Sequence, residues 1–350
     1  MVDSLALSTV KLVQVVPNLK RPQKFLLDRF FPNIVEADTE EVAIDVQVGI
    51  RRMAPFVSPL VEGKLVESVG MKTNRFRPAY IKDKRAPDLR RPVRRSIGEK
   101  IGGDLEPGER EMINLQYEME DQIDMIDRRL EWMAASALTT GTVVVAGEGY
   151  DTALVDFGRD SRLSIALTGS DRWGQGLTGP NGTDPKVSTN ITDWQALVLR
   201  LSGAVTKDLV FTNKAWGLFL NGTGVQAAIQ YPALANSGNN INPAAAVQHG
   251  AVYMGEWAGK TLWLYNDWYV DDNGYELPML PDGYVLLAGP DMLGTRAFGL
   301  IVDPKFNYQP MAYAPKTWLV EDPAQRLLMM QSAPLVIPSR VNAALAVKVA

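Results

Sequence analysis

Cysteine is absent from the 350 residues, and histidine occurs once, as His249. The first absence excludes disulfides, thiolate metal sites and cysteine nucleophiles. The second removes the usual histidine triads, and most zinc sites unless carboxylates supply every ligand. No run of 18 apolar residues occurs, so no helical membrane span is expected. No signal peptide is expected either: Asp3 stands where a basic n-region belongs, and Lys11 interrupts the short apolar run behind it. These features point to synthesis in a cytoplasm, and Asn181, Asn190 and Asn221, which match glycosylation sequons, then read as loop sequence. The net charge of −4 gives no whole-chain attraction to nucleic acid. What remains is an ordinary globular composition, 46% apolar and 22% charged, long enough for two or three units with a real core.

The strongest local signal is a long acidic helix. Apolar residues fall at Met112, Leu115, Met119, Ile123, Ile126, Leu130, Met133 and Ala137, in steps of three and four. From Glu106 to Glu131 nine carboxylates stand against three arginines. Upstream, from Lys82 to Arg95, seven basic residues stand against Asp83 and Asp88. A basic arm and an acidic helix on one chain can pair between copies of that chain. This favours self-assembly over catalysis. Arg90, Arg91, Arg94 and Arg95 are the candidate inter-subunit cations, and Glu118, Asp121 and Asp124 their candidate partners. A nucleic-acid arm is the rival reading, but no aromatic residue follows Tyr80 in the run to stack on bases.

Other elements follow from pattern. Residues 1–24 read as an extended arm, and Phe25 to Phe31 as a short helix stopped by Pro32. Val42 to Val46 reads as a strand. Residues 47–97 hold five prolines and the strand-like pieces 64–69 and 75–81, an extended ribbon with a turn expected near Gly70. Such a ribbon has too little apolar surface to stand alone. A hairpin is expected over 142–157, a loop over 169–190, and a helix capped by Thr192-Asp193 running to Leu201. Then come a strand at 208–212, a helix at 214–220, strands at 261–270 and 276–280 around an Asp-Asp-Asn-Gly turn, and strands at 284–288 and 297–302. The tail from Arg326 to Val349, broken by Pro334 and Pro338, suits an edge strand.

Candidate chemistry fails on spacing. Gly255-Glu-Trp-Ala-Gly259-Lys260-Thr261 has three residues between its glycines where a phosphate loop needs four, and it precedes a strand. Asp271-Asp272-Asn273-Gly274 lacks a calcium loop's ligand spacing and reads as a tight turn. A lone histidine is more often a surface or hydrogen-bonded residue than a catalyst. Glu120 and Asp121 are adjacent on a helix and diverge. The eight tryptophans are scattered and read as core. No catalytic, cofactor-binding or metal-binding residue is expected.

Local sequence then carries a resemblance. Phe25-Leu-Leu-Asp-Arg-Phe-Phe-Pro32, Ala54-Pro-Phe-Val-Ser-Pro-Leu-Val61, Phe76-Arg-Pro-Ala-Tyr-Ile-Lys82, Gln116 to Leu138, Val155-Asp-Phe-Gly-Arg159, Lys214-Ala-Trp-Gly-Leu-Phe219, Pro315-Lys-Thr-Trp318 and Asp322 through Leu335 occur in the order found in the phage lambda-like major capsid proteins. The chain resembles that family, phage major capsid protein E. The resemblance implies an α+β fold of the Hong Kong 97 type. Its parts would be an N-terminal arm with the start of a peripheral domain (1–47), an extended E-loop (48–98), a peripheral domain with spine helix and hairpin (99–159), an axial domain (160–310) and a C-terminal return to the peripheral domain (311–350).

The function so implied is an icosahedral head shell of a tailed phage or prophage, built of pentamers and hexamers and enclosing double-stranded DNA without sequence-specific binding. Flexible loops at 169–190 and 233–242 would suit its five- and six-fold centres. A separate scaffolding protein is implied, because no long helical extension precedes the spine helix. A portal, a tail-attachment system and a decoration protein are further implied partners; no membrane and no cofactor are. The location implied is the virion capsid, with assembly in the host cytoplasm. Some proteins of this shell fold join lysine to asparagine covalently. Nothing here marks the required asparagine and acid, so no covalent joining is expected. The alternatives are an encapsulin-type cargo shell with the same fold, and a carboxylate-dependent α+β enzyme.

Overall fold

The computed structural model describes residues 24–39, 41–48, 54, 56–60, 62–63, 70–87, 106–147, 149–230, 240–241, 250–271, 273–322 and 325–350. The long helix runs over Pro107–Thr140, about 50 Å at 1.5 Å per residue. Its start is set locally. Pro107 supplies a helical φ and needs no amide partner. Glu106 and Glu109 form a reciprocal capping box, in which the Glu106 amide donates to Glu109 Oε2 at 3.0 Å. Its end is set by Gly141 in the left-handed region, φ +74°.

The apolar stripe faces inward. Leu115, Met119, Ile123, Ile126, Leu130, Met133 and Ala137 are buried, and only Met112, in the second turn, is exposed. Each such large side chain contributes about 1.5–3 kcal/mol by leaving water.

Gly141 has no substitute. A Cβ there would lie 2.5 Å from Arg159 Cβ, and a positive φ strains any side chain. Arg159 is itself partly buried, its guanidinium donating to Leu138 O at 2.7 Å, Leu163 O at 2.9 Å and Ala344 O at 3.1 Å. It thereby closes the helix C-terminus onto two other segments. Gly141→Ala should lower stability by about 2–4 kcal/mol, from φ strain and the displaced arginine together; urea unfolding measures it.

A seven-stranded mixed sheet forms the second layer. Its order is Ser164–Ala166, Leu345–Lys348, Tyr284–Ala288, Asp208–Phe211, Lys260–Asn266, Gly250–Trp257, Asn240–Ile241. Side chains alternate across it. Leu209, Phe211, Val285, Leu287, Leu345 and Val347 enter one core, with Trp194, Trp216 and Phe219 of the helices Lys186–Ser202 and Asn213–Leu220. Val210, Leu286 and Ala346 enter the other core, with the long-helix stripe. The sheet is therefore a wall between two cores.

Two three-stranded sheets complete the body. Gly294–Phe298 lies between Asn33–Glu36 and Pro334–Pro338, and Gln325–Ser332 lies between Ala314–Val320 and Ile81–Arg85. The hairpin Thr142–Gly147 with Tyr150–Asp156 follows the long helix as expected. Val42–Val48 pairs with Gly70–Phe76 in a ribbon of its own.

Several details differ from the sequence expectations. Gly70 is in a strand, not a turn; its partner strand is Val42–Val48. Within the expected span of 48–98, Ile81–Arg85 pairs with Gln325–Ser332 at an edge of the body. The helix expected from Thr192 begins at Lys186. Buried Asp184 caps it, accepting from Lys186 N and from Gly174 N, each at 3.0 Å. Pro185, lacking an amide proton, is tolerated in that first turn. The strand expected at 297–302 is Gly294–Phe298. The tail is an edge only at Pro334–Pro338; Leu345–Lys348 lies inside the seven-stranded sheet. The arm over 1–23, the strand-like piece 64–69 and the loop residues 233–239 lie outside the described residues.

Candidate assembly interface

The ribbon and the long helix meet at the ribbon's root. Val42 and Phe76 are buried there, and Phe76 lies 5.3 Å from Phe157, ring to ring. The two ribbon strands pair with each other and, among the described residues, with no other strand. At the tip Phe56 is 102% exposed and Leu60 is 93% exposed. Two large apolar side chains in water form a patch that a stable monomer has no use for.

Charges fix the body strand Ile81–Arg85, which follows the ribbon, to the helix. Arg85 lies 3.0 Å from Glu118, 2.6 Å from Asp121 and 3.0 Å from Asp83. Burial acts to lower its pKa, but the bonds to Glu118 and Asp121 outweigh this and hold it above its ordinary value. Gln122 Nε2 donates to Asp83 O at 3.0 Å. Asp124 pairs with Arg128 one turn along; burial raises the Asp124 pKa, and Arg128 opposes this.

The expected acids are thus engaged within their own chain. Glu118 and Asp121 take Arg85, a residue of the basic run outside the four candidate arginines. Arg90, Arg91, Arg94 and Arg95 lie outside the described residues. Arg85→Ala should remove the cation that Asp83, Glu118 and Asp121 share and cost about 1–3 kcal/mol. Because the group is partly open to solvent, that cost should shrink in 1 M salt. Urea unfolding at low and high salt measures both.

A second cluster escapes the sequence reading. Glu131 is fully within the core and accepts from Leu26 N at 2.8 Å, Leu27 N at 3.1 Å and Tyr265 Oη at 2.9 Å. It caps the short helix Phe25–Phe30 and joins it to the long helix and the large sheet. Burial pushes its carboxyl up to about 7, with those three donors pulling the other way. Four residues earlier, buried Asp127 takes Lys24 at 2.7 Å and the Tyr313 hydroxyl. From the other side, Arg29 grips buried Asp208 with two bonds, at 2.8 and 3.2 Å, and Trp263 Nε1 donates to the same carboxylate at 3.2 Å. The six-residue helix therefore bolts the long helix to the large sheet. The signal is present in the sequence: Asp127 and Glu131 follow Ile123 at steps of four, inside the stripe rather than opposite it.

None of these acids converges on an open cleft, and each has a structural partner. Among the described residues no three His, Cys, Asp or Glu side chains are placed to hold a metal. Lys260 opens the strand Lys260–Asn266 just after a hairpin turn, its ammonium 5.3 Å over the Trp257 ring and donating to Ala258 O at 3.2 Å. Asp271 caps the expected turn, accepting from Asn273 N at 3.0 Å and Tyr275 N at 2.8 Å. His249 and Asp272 lie outside the described residues. Of the tryptophans, Trp173, Trp194, Trp216 and Trp257 are core; Trp268 is exposed.

The model of the family phage major capsid protein E matches residues 8–349. The major capsid protein of Escherichia phage lambda is 29% identical over 327 residues, covering 90% of this chain and 92% of that protein. The P21 prophage-derived major head protein of Escherichia coli O6:H1 is 28% identical over 318 residues, covering 89% and 90%. Among solved structures, a candidate prophage capsid protein from E. coli CFT073 superposes with a TM-score of 0.73 at 18% identity, over 98% of this chain and 99% of that one. The fold is accordingly the α+β, Hong Kong 97-like fold of phage capsid proteins. With a family match over nearly the whole chain, an exposed apolar ribbon tip and buried acids spent on structure, the chain belongs to the phage major capsid protein E family, whose members are structural shell proteins and not enzymes.

Proposed function

We propose that copies of this chain close, as pentamers and hexamers, into an icosahedral head around double-stranded DNA, the ribbon of each copy lying on another. The observation that carries this reading is the ribbon tip, where Phe56 and Leu60 have no cover in their own chain. Repeated contacts, each modest, add up over a closed lattice. A separate scaffolding protein guides closure, a portal marks one vertex, and a decoration protein binds the outside. Assembly takes place in the host cytoplasm.

Arg90, Arg91, Arg94 and Arg95 reach acids of neighbouring copies in this reading. Because Glu118 and Asp121 already hold Arg85, an incoming arginine would share them or take Asp124. The double variant Arg90→Ala, Arg91→Ala should then lower shell yield. Normal empty shells that fail to retain DNA would instead make this run a DNA contact.

Negative-stain microscopy of the protein expressed with its scaffold tests the whole reading. Closed particles of uniform size are expected, and they should dissolve to monomers in hot detergent. Monomers alone in every condition would contradict it.

A further inference from the structure

The short strand Asn33–Glu36 is an outer edge of its three-stranded sheet. It pairs with Gly294–Phe298 on one side and, among the described residues, with no strand on the other. All four of its residues are exposed, Ile34 at 61% and Val35 at 45%. Successive side chains point to opposite faces, so both faces of this strand stand in water. An open edge is a template for another strand, and edges that must stay single carry lysine, proline or a bulge. This one carries none within its span and sets two β-branched residues at its centre.

The direction of its backbone groups is fixed. Ala37 N donates to Phe298 O at 2.9 Å. With a period of two, the backbone groups of Asn33 and Val35 also face Gly294–Phe298, in parallel register. Those of Ile34 and Glu36 face outward. A strand that joins this edge must oppose both with outward groups of its own. A second copy of the same strand does so. Turned antiparallel about a two-fold axis through Val35, it sets Ile34 opposite the partner's Glu36 and Glu36 opposite the partner's Ile34, for four backbone hydrogen bonds. Val35 then meets Val35, and Asn33 meets Ala37. A shift of two residues one way would oppose Glu36 to Glu36, two like charges. A shift the other way would oppose Glu36 to Pro32, which has no amide proton. One register remains.

We infer that Asn33–Glu36 is a contact between copies, pairing antiparallel with the same strand of a second copy across a two-fold axis. This rests on the shell reading. A closed icosahedral lattice has two-fold axes, and a surface that meets itself there must be self-complementary. The register derived above makes this edge so, at a site separate from the ribbon tip.

The absence of cysteine makes the test clean. Opposed residues of a non-hydrogen-bonded pair lie about 4.5 Å apart at Cα, within the range of about 4.4–6.8 Å that a disulfide bridges. Shells assembled from Val35→Cys and mildly oxidised should give linked dimers on a non-reducing gel, with the 35–35 bond identified by peptide mass spectrometry. Ile34→Cys, on the other face, should give none. If Val35→Cys does not assemble, Asn33→Cys combined with Ala37→Cys makes the same measurement through a 33–37 bond, again stopping at dimer. Ile34→Pro removes an outward amide, so it should keep the monomer's urea midpoint and lower the shell yield. Shells without the bond overturn this contact, and a lowered yield in Ile34→Pro would then give the edge to another strand. Ile34→Pro shells at wild-type yield, or an Ile34→Pro monomer that unfolds early because its amide faces inward, overturn it too. Wild-type chains that form no shells would instead refute the shell reading, and this contact with it.

Discussion

Phe56→Ser with Leu60→Ser should abolish closed shells while leaving the monomer as stable as the parent. The monomer forecast follows from exposure: both side chains are already in water, so folding gains nothing from them. The assembly forecast follows from burial at the contact. Covering a large apolar side chain is worth about 1.5–3 kcal/mol, so losing two per copy weakens each contact by about 3–6 kcal/mol. At about 1.4 kcal/mol per decade that is about a hundredfold or more in the contact's dissociation constant, repeated at every copy of the lattice. Velocity sedimentation reads the shell fraction and urea unfolding reads the monomer. A double variant that still sediments as full-size shells would show that the tip carries no assembly energy. A variant that unfolds early would show that it is part of the monomer's core.

The second large effect belongs to Glu131. Glu131→Ala should destabilise the fold by about 3–5 kcal/mol, because Leu26 N, Leu27 N and the Tyr265 hydroxyl all lose their buried acceptor. That is a large part of the roughly 5–15 kcal/mol that holds a domain together. The pH dependence is distinctive. The folded-state pKa of Glu131 is raised from 4.5 to about 7. Between those values the folded chain keeps a proton that the unfolded chain releases. Stability from this group is therefore fully present below about pH 4.5 and falls, by on the order of 3 kcal/mol, as pH rises to about 7. Glu131→Gln keeps a carbonyl acceptor and cannot titrate, so it should flatten that part of the profile without the collapse expected of alanine. Equal loss in both variants, or an unchanged slope in Glu131→Gln, would refute this account of the bolt.

Much of this is legible in the chain, for reasons that are local. The period of Leu115 to Ala137, the capping pair at Glu106 and Glu109, and the turn at Asp271 depend on residues within a few positions of one another. The identity of a strand's partner does not. Ile81–Arg85 pairs with Gln325–Ser332, far along the chain, and nothing near residue 81 encodes that choice. Hence local pattern places a turn at Gly70, which lies in a strand paired with Val42–Val48. The tail shows the same limit: proline marks Pro334–Pro338 as an edge, but Leu345–Lys348 is central because Ser164–Ala166 and Tyr284–Ala288 flank it. Charge counting has a different limit. Counting acids against arginines identifies a real electrostatic latch, yet its cation is Arg85 of the same chain. Charge counts carry no distances. They treat the buried acids Asp127 and Glu131 as solvated, and only the positions of these two within the stripe distinguish them.

A cryo-electron microscopy map of shells assembled from the purified protein tests the central claim most directly, because it locates residues 54–63 relative to subunit boundaries. The account predicts that the ribbon of each copy crosses to another and that Phe56 and Leu60 are buried there, with the body of each copy as described. A ribbon folded back on its own subunit, or a tip still in solvent in the closed shell, would contradict it.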